Sequence, residues 1–143
     1  LLEIKDQTGA LGENIGELVE KSAHLINSYK GALAVMSFNP FVVRELEKYS
    51  PLIPRGLVTD DFFSNEWNFL NFAEKEYLNR MTPSKEIKLD FISHNVEKPE
   101  SPQINLARDR KLPVICWTVR SKSQEEKARK IFDNITFENY LPE

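Results

Sequence analysis

The sequence is short of the features that would mark a disulfide scaffold, a membrane protein or a nucleic-acid binder. It has one cysteine in 143 residues, Cys116, which rules out an internal disulfide and fits a reducing compartment. Cys116 sits in an apolar run with no histidine pattern around it, so it reads as a small buried hydrophobe and not as a nucleophile. No apolar stretch approaches the ~20 residues of a membrane-crossing helix. The formal net charge is −3. Opposite charges alternate, as in Arg108-Asp109-Arg110-Lys111 and Glu125-Glu126-Lys127, and no basic stripe forms, which argues against a nucleic-acid partner. Gly-x-Gly-x-x-Gly and Gly-x-x-x-x-Gly-Lys are both absent, so a nucleotide-binding open sheet is not encouraged. No internal repeat or low-complexity tract interrupts the chain. A cytoplasmic protein without a membrane span is the expectation.

What is present is strand and helix in alternation. The 41% apolar content is ordinary for a globular chain, and the length suits one domain or part of a larger one. Strands are predicted at 1–5, 32–38, 55–59, 89–94, 112–119 and 134–138. The first helix is expected to be capped by Asn14 with Glu17, to bury Ile15, Leu18, Val19, Leu25, Ile26 and Tyr29, and to close at Gly31, leaving His24 solvated. Asn39-Pro40 opens a second helix with Phe41, Val42, Leu46 and Tyr49 on its buried side, ended by Pro51 and Pro54. Residues 60–71 form a long aromatic connection, either a cap over a site or a packed surface loop. Helices follow over 72–81, from Pro102 to about 111, and from a Ser123–Glu126 capping box to about Phe132. Such alternation implies right-handed βαβ units and a parallel sheet, so the fold class is α/β.

In parallel α/β folds the working residues lie at the carboxyl ends of the strands. Those ends are Glu3-Ile4-Lys5, Ser37-Phe38-Asn39, Thr59-Asp60-Asp61, Ser93-His94-Asn95, Trp117-Thr118-Val119 and Phe137-Glu138. Glu3 and Lys5 share one strand face, with Leu2 and Ile4 on the other. Burying two such charges calls for a partner or a task. They read either as a plain ion pair or as a metal ligand beside an anion-holding lysine.

Glu3-Ile4-Lys5, Ser37-Phe38-Asn39-Pro40, Pro54-Arg55-Gly56-Leu57, Trp117-Thr118-Val119 and Phe137-Glu138-Asn139-Tyr140-Leu141-Pro142 together resemble the ordered signature of the glycerophosphodiester phosphodiesterases. The resemblance implies a TIM-type (β/α)8 barrel of the PLC-like phosphodiesterase kind. It also implies hydrolysis of glycerophosphodiesters to glycerol 3-phosphate and an alcohol, with Mg²⁺ or Ca²⁺ as cofactor. It places the family's metal-ligand glutamate on Glu3, its catalytic, phosphate-facing lysine on Lys5 and its aromatic substrate walls on Phe38 and Trp117. The family's His-Arg-Gly, Glu-x-Asp and His-Asp motifs have no counterpart, and neither His24 nor His94 matches them. They would precede residue 1, so the chain reads as the carboxy-terminal part of one barrel domain, about six strands of eight, expected to be inactive alone. Its unpaired sheet edges are a route to self-association. The competing expectations are a non-catalytic half-barrel that binds a phosphorylated ligand or a partner, and an open-sheet interaction module.

Overall fold

Each predicted strand finds the next one in sequence as its neighbour. The computed structural model describes residues 1–142 and holds a six-stranded sheet in the order β1-β2-β3-β4-β5-β6, every pair parallel. The strands are Leu2–Glu3 (β1), Val35–Ser37 (β2), Arg55–Thr59 (β3), Phe91–Asn95 (β4), Val114–Val119 (β5) and Asn134–Phe137 (β6). Between them run helices Leu18–Ser28 (α1), Pro40–Tyr49 (α2), Phe72–Asn79 (α3), Pro102–Asp109 (α4) and Lys122–Ala128 (α5). Sequential order with helical crossovers is the wiring of a TIM-type barrel, and six strands make an arc of its eight. A doubly wound sheet would reverse its order at a switch point, and this one does not, which removes the open-sheet reading. Among the described residues β1 pairs only with β2, and β6 only with β5.

Side-chain alternation divides the core into two layers. On the convex face Ile4 and Val35 meet Val19 and Ile26 of α1 and Val42 and Leu46 of α2. Further along the same face, Leu57, Ile92, Val114 and Cys116 meet Ile104 and Ala107 of α4 and Ala128 of α5. Each valine, leucine or isoleucine among them, fully buried, contributes roughly 1.5–3 kcal/mol. The concave face carries Met36, Val58 and Phe91, packed by Phe38, Ile115 and Trp117. Gly56 makes room there, because a Cβ at that position would stand 2.3 Å from the Phe91 ring. At the opposite, amino-terminal end of the strands, the buried Arg55 side chain donates to the Pro51 carbonyl at 2.7 Å and fastens the end of α2 to β3.

Several local expectations are corrected. α1 begins at Leu18, with Glu17 and not Asn14 at its cap, because Gly16 takes φ +62, a left-handed angle that a helix cannot contain. It ends at Ser28, before Gly31. Its buried stripe is Val19, Ala23 and Ile26, while Leu25 and Tyr29 are 70% and 60% exposed. Tyr49 of α2 is likewise exposed. α5 is capped by Ser121, which accepts from the Gln124 N–H at 3.3 Å, so the earlier of two overlapping Ser-x-x-Gln/Glu patterns is used. His24 is exposed, as expected.

Candidate functional site at the carboxyl ends of the strands

β1 aims its two charged side chains to the concave side, since the intervening Ile4 is buried against α1 and α2. Glu3 lies beside Met36 in the register, and the Ile4 N–H that follows donates to the Met36 carbonyl at 2.9 Å. The Lys5 ammonium donates to Glu3 Oε2 at 2.8 Å. The lysine side chain is 73% exposed and the glutamate 21%, so the cation stands in the open while the carboxylate is tucked under it. Oε1 of Glu3 is buried and has no hydrogen-bond partner among the described residues. A buried acceptor left without a donor costs about 1–3 kcal/mol. It is the kind of oxygen that a hard cation takes. The donor set stops there: no group of three His, Cys, Asp or Glu side chains suited to a metal exists among the described residues. Glu3 thus fits a divalent cation as one ligand of several.

At the same end of the sheet stands an aromatic wall. Phe38, at the end of β2, meets Trp117 of β5 edge-on, with ring centroids 5.5 Å apart. Both are half-buried. The Trp117 indole N–H donates to the Ser93 carbonyl at 3.1 Å, which fixes the ring over β4. The aromatic connection 60–71 folds down onto this wall. Trp67, on a short 3₁₀ turn at Asn65–Trp67, packs at a tilt against Phe38 and Phe62, with ring centroids 5.1 Å and 4.7 Å away. Its N–H reaches Asp60 Oδ2 at 3.0 Å. The segment is packed by its own side chains, Phe62 and Leu70 being buried with Leu11 and Leu78, and Trp67 joins that cluster to Phe38.

The loop after β1 is fixed by a second polar knot. Asn39 caps α2, its Oδ1 accepting from the Phe41 N–H at 2.8 Å. Its amide donates to Asp6 Oδ1 at 2.7 Å and to the Gly12 carbonyl at 2.9 Å. Burial pushes the Asp6 carboxyl up, but hydrogen bonds from Asn39, Leu11 and Thr8 outweigh it and hold the group below the usual carboxylate value. These bonds set the exit of β1, and with it the position of Lys5.

His94 lies at the end of β4 but on the convex side, wholly buried. Nε2 stands 3.2 Å from the Lys98 carbonyl, which can only accept, so the proton sits on Nε2 and Nδ1 accepts from the Thr59 hydroxyl at 2.8 Å. Burial pulls its pKa down to about 4, against the attraction of Asp60 and Asp61. With both nitrogens spent and no route to the concave face, His94 is a structural residue.

The structure therefore brings Glu3 and Lys5 together, and Phe38 with Trp117. Asp60, Trp67 and Asn95 join the second pair. Asp60 and Asn95 are legible in the sequence as strand ends and Trp67 as part of the connection, but no motif gives any of them a role. The signal available was a buried-strand aspartate followed seven residues later by a tryptophan.

No protein-family model matches the sequence, and no curated protein does. Solved structures do. A Silicibacter pomeroyi protein carrying a provisional glycerophosphoryl diester phosphodiesterase name superposes with a TM-score of 0.63 at 17% identity, over 85% of this chain and 40% of its own. An Oleispira antarctica phosphodiesterase, in complex with the product sn-glycerol-3-phosphate, gives 0.61 at 15% identity, over 94% of this chain and 49% of its own. The chain thus spans less than half the length of these proteins. At such identities the likeness establishes the fold: a partial TIM-type barrel of the kind seen in those phosphodiesterases.

Proposed function

We propose that this chain supplies one side of the pocket of a metal-dependent phosphodiesterase that cleaves glycerophosphodiesters to glycerol 3-phosphate and an alcohol. The observation that carries the reading is the Glu3–Lys5 pair at the carboxyl end of β1, with Oε1 of Glu3 unpartnered and the Lys5 ammonium open to solvent. Lys5 would hold a phosphoryl oxygen as a point charge. Phe38 and Trp117 would line the glycerol carbons. Glu3 would give one oxygen to Mg²⁺ or Ca²⁺, which when bound neutralises charge on the phosphoryl group. Further ligands, and the strands that close the barrel against the edges of β1 and β6, would come from outside residues 1–143.

A second reading, a half-barrel that binds a phosphorylated ligand without turning it over, is favoured by one observation: His24 is exposed on α1 and His94 is locked on the convex side. Neither can serve as acid or base at the concave face. General acid–base groups contribute about 10²–10⁴-fold, so residues 1–143 alone are expected to hydrolyse glycerophosphocholine negligibly with Mg²⁺ or Ca²⁺. In a barrel completed by the remaining strands, Glu3→Gln should weaken metal binding. Lys5→Met should slow turnover with metal affinity kept, because it removes charge stabilisation of the transition state. Metal titration and turnover of both variants separate the roles. Robust hydrolysis by the chain alone, or unchanged metal affinity in Glu3→Gln, would sink the assignment.

A further inference from the structure

Asp60 is 1% exposed at the end of β3, and a carboxylate so buried must be repaid in hydrogen bonds. It receives three. Oδ1 accepts from the Asn95 amide at 2.9 Å and the Asp61 N–H at 2.8 Å, and Oδ2 accepts from the Trp67 indole at 3.0 Å. Its backbone carbonyl accepts from Gln103 at 2.9 Å, and Gln103, itself fully buried in α4, also donates to Asn79 of α3 at 2.5 Å. Asp60 is therefore the point where β3, β4, α3, α4 and the aromatic connection are tied. Its oxygens meet only donors, which sets it apart from Glu3 with its unpartnered Oε1.

We infer that Asp60 is a positioning residue: through the Trp67 N–H it fixes the indole behind Phe38, and so sets the aromatic wall formed by Phe38 and Trp117. An indole has one donor. Holding that N–H at Oδ2 fixes how the ring turns about its side-chain bonds, and the ring centroid then lies 5.1 Å from Phe38, itself 5.5 Å from Trp117. Phenylalanine at 67 could fill much of the same space, but it could not answer Asp60. That Asp60 sets a ligand wall rests on the proposed function; that it sets Trp67 does not.

The two parts are tested separately. With two tryptophans in the chain, Trp117→Phe leaves Trp67 as the sole emitter. Adding Asp60→Asn, which turns one acceptor into a donor facing the indole N–H, should shift emission to the red and raise quenching by acrylamide. Unchanged emission and quenching overturn the inference. In a barrel completed by the remaining strands, Asp60→Asn and Trp67→Phe should each weaken binding of sn-glycerol 3-phosphate by about tenfold, the scale of one hydrogen bond to a charged acceptor. The double variant should be no worse than either, since both break the same link. Additive losses, or a parent-like affinity in both single variants, overturn it while leaving the phosphodiesterase reading intact. If the completed barrel without these substitutions does not bind sn-glycerol 3-phosphate, that reading and the ligand-wall role fall together, and the emission result alone decides the Trp67 anchor. Should Asp60→Asn fail to fold, Trp67→Phe, which spares the bonds to Asn95 and Asp61, still decides the binding arm.

Discussion

Buried as a neutral ring, His94 links folding to pH in a direction that can be worked out. Its folded pKa of about 4 lies below the ordinary value of 6.5. Between those values the unfolded chain takes up a proton that the folded one refuses, so stability falls as the pH drops from 6.5 to 4 and levels off below. The full span is roughly 3 kcal/mol at 1.36 kcal/mol per unit. Asp6, held below its usual value, adds a further loss only as its own folded pKa is crossed, below 3.8. His94→Gln should flatten the upper window and leave the lower one in place. Urea unfolding at half-unit pH steps measures both, and an unchanged slope between pH 4 and 6.5 would refute the assignment. The same residue marks a limit of sequence reading. Its position at a strand end was visible, whereas the face it occupies followed only once the register with Thr59 and Cys116 was known.

Among the elements, α2 depends most on one side chain. Asn39 caps the helix, binds Asp6 and holds the Gly12 carbonyl, so Asn39→Ala removes an N-cap and takes a donor from each of two partly buried acceptors, Asp6 Oδ1 keeping only the Thr8 hydroxyl. A loss of about 2 kcal/mol is expected, a cap alone accounting for about 1. The shift in urea midpoint at constant slope measures it, and a change below about 0.5 kcal/mol would show that the cap is dispensable. This helix start was legible because asparagine followed by proline states both halves of the signal. The start of α1 was not, because Asn14 and Glu17 imitate a capping box and only the backbone reveals that Gly16 is left-handed. At α5 two capping patterns overlap, and local chemistry cannot choose between them. The box that does form on α3, Asn71 with Glu74, follows directly on the aromatic connection, whose run of rings masks where the helix begins.

For the molecule as a whole, parallel sequential order was readable from helix-crossed alternation, and so was the division of β1 into a charged face and an apolar one. Those two facts place Glu3 and Lys5. The remainder of the site is non-local. Asp60 and Asn95 lie 35 positions apart and are joined by a hydrogen bond, and no spacing rule encodes it. The arc is packed on both faces, with Phe91 folded over Gly56 on the inside and four helices supplying Val19, Val42, Ile104 and Ala128 to the outside. Its edges, in contrast, are left with backbone groups to satisfy.

The lone cysteine sits in the middle of this packing and makes the sheet its own clock. Cys116 is wholly buried between β4 and β6, and burial raises its thiol pKa to about 12, against the pull of Arg129. An unionised, enclosed thiol does not react with an alkylating reagent, so modification must wait until β5 parts from its neighbours. With fast reclosing, the labelling rate divided by that of the unfolded chain is the fraction of time the sheet stands open. Labelling of Cys116 in native buffer should therefore be slow and should quicken in step with urea. If it proceeds at the unfolded rate in native buffer, β5 is not held in the sheet described.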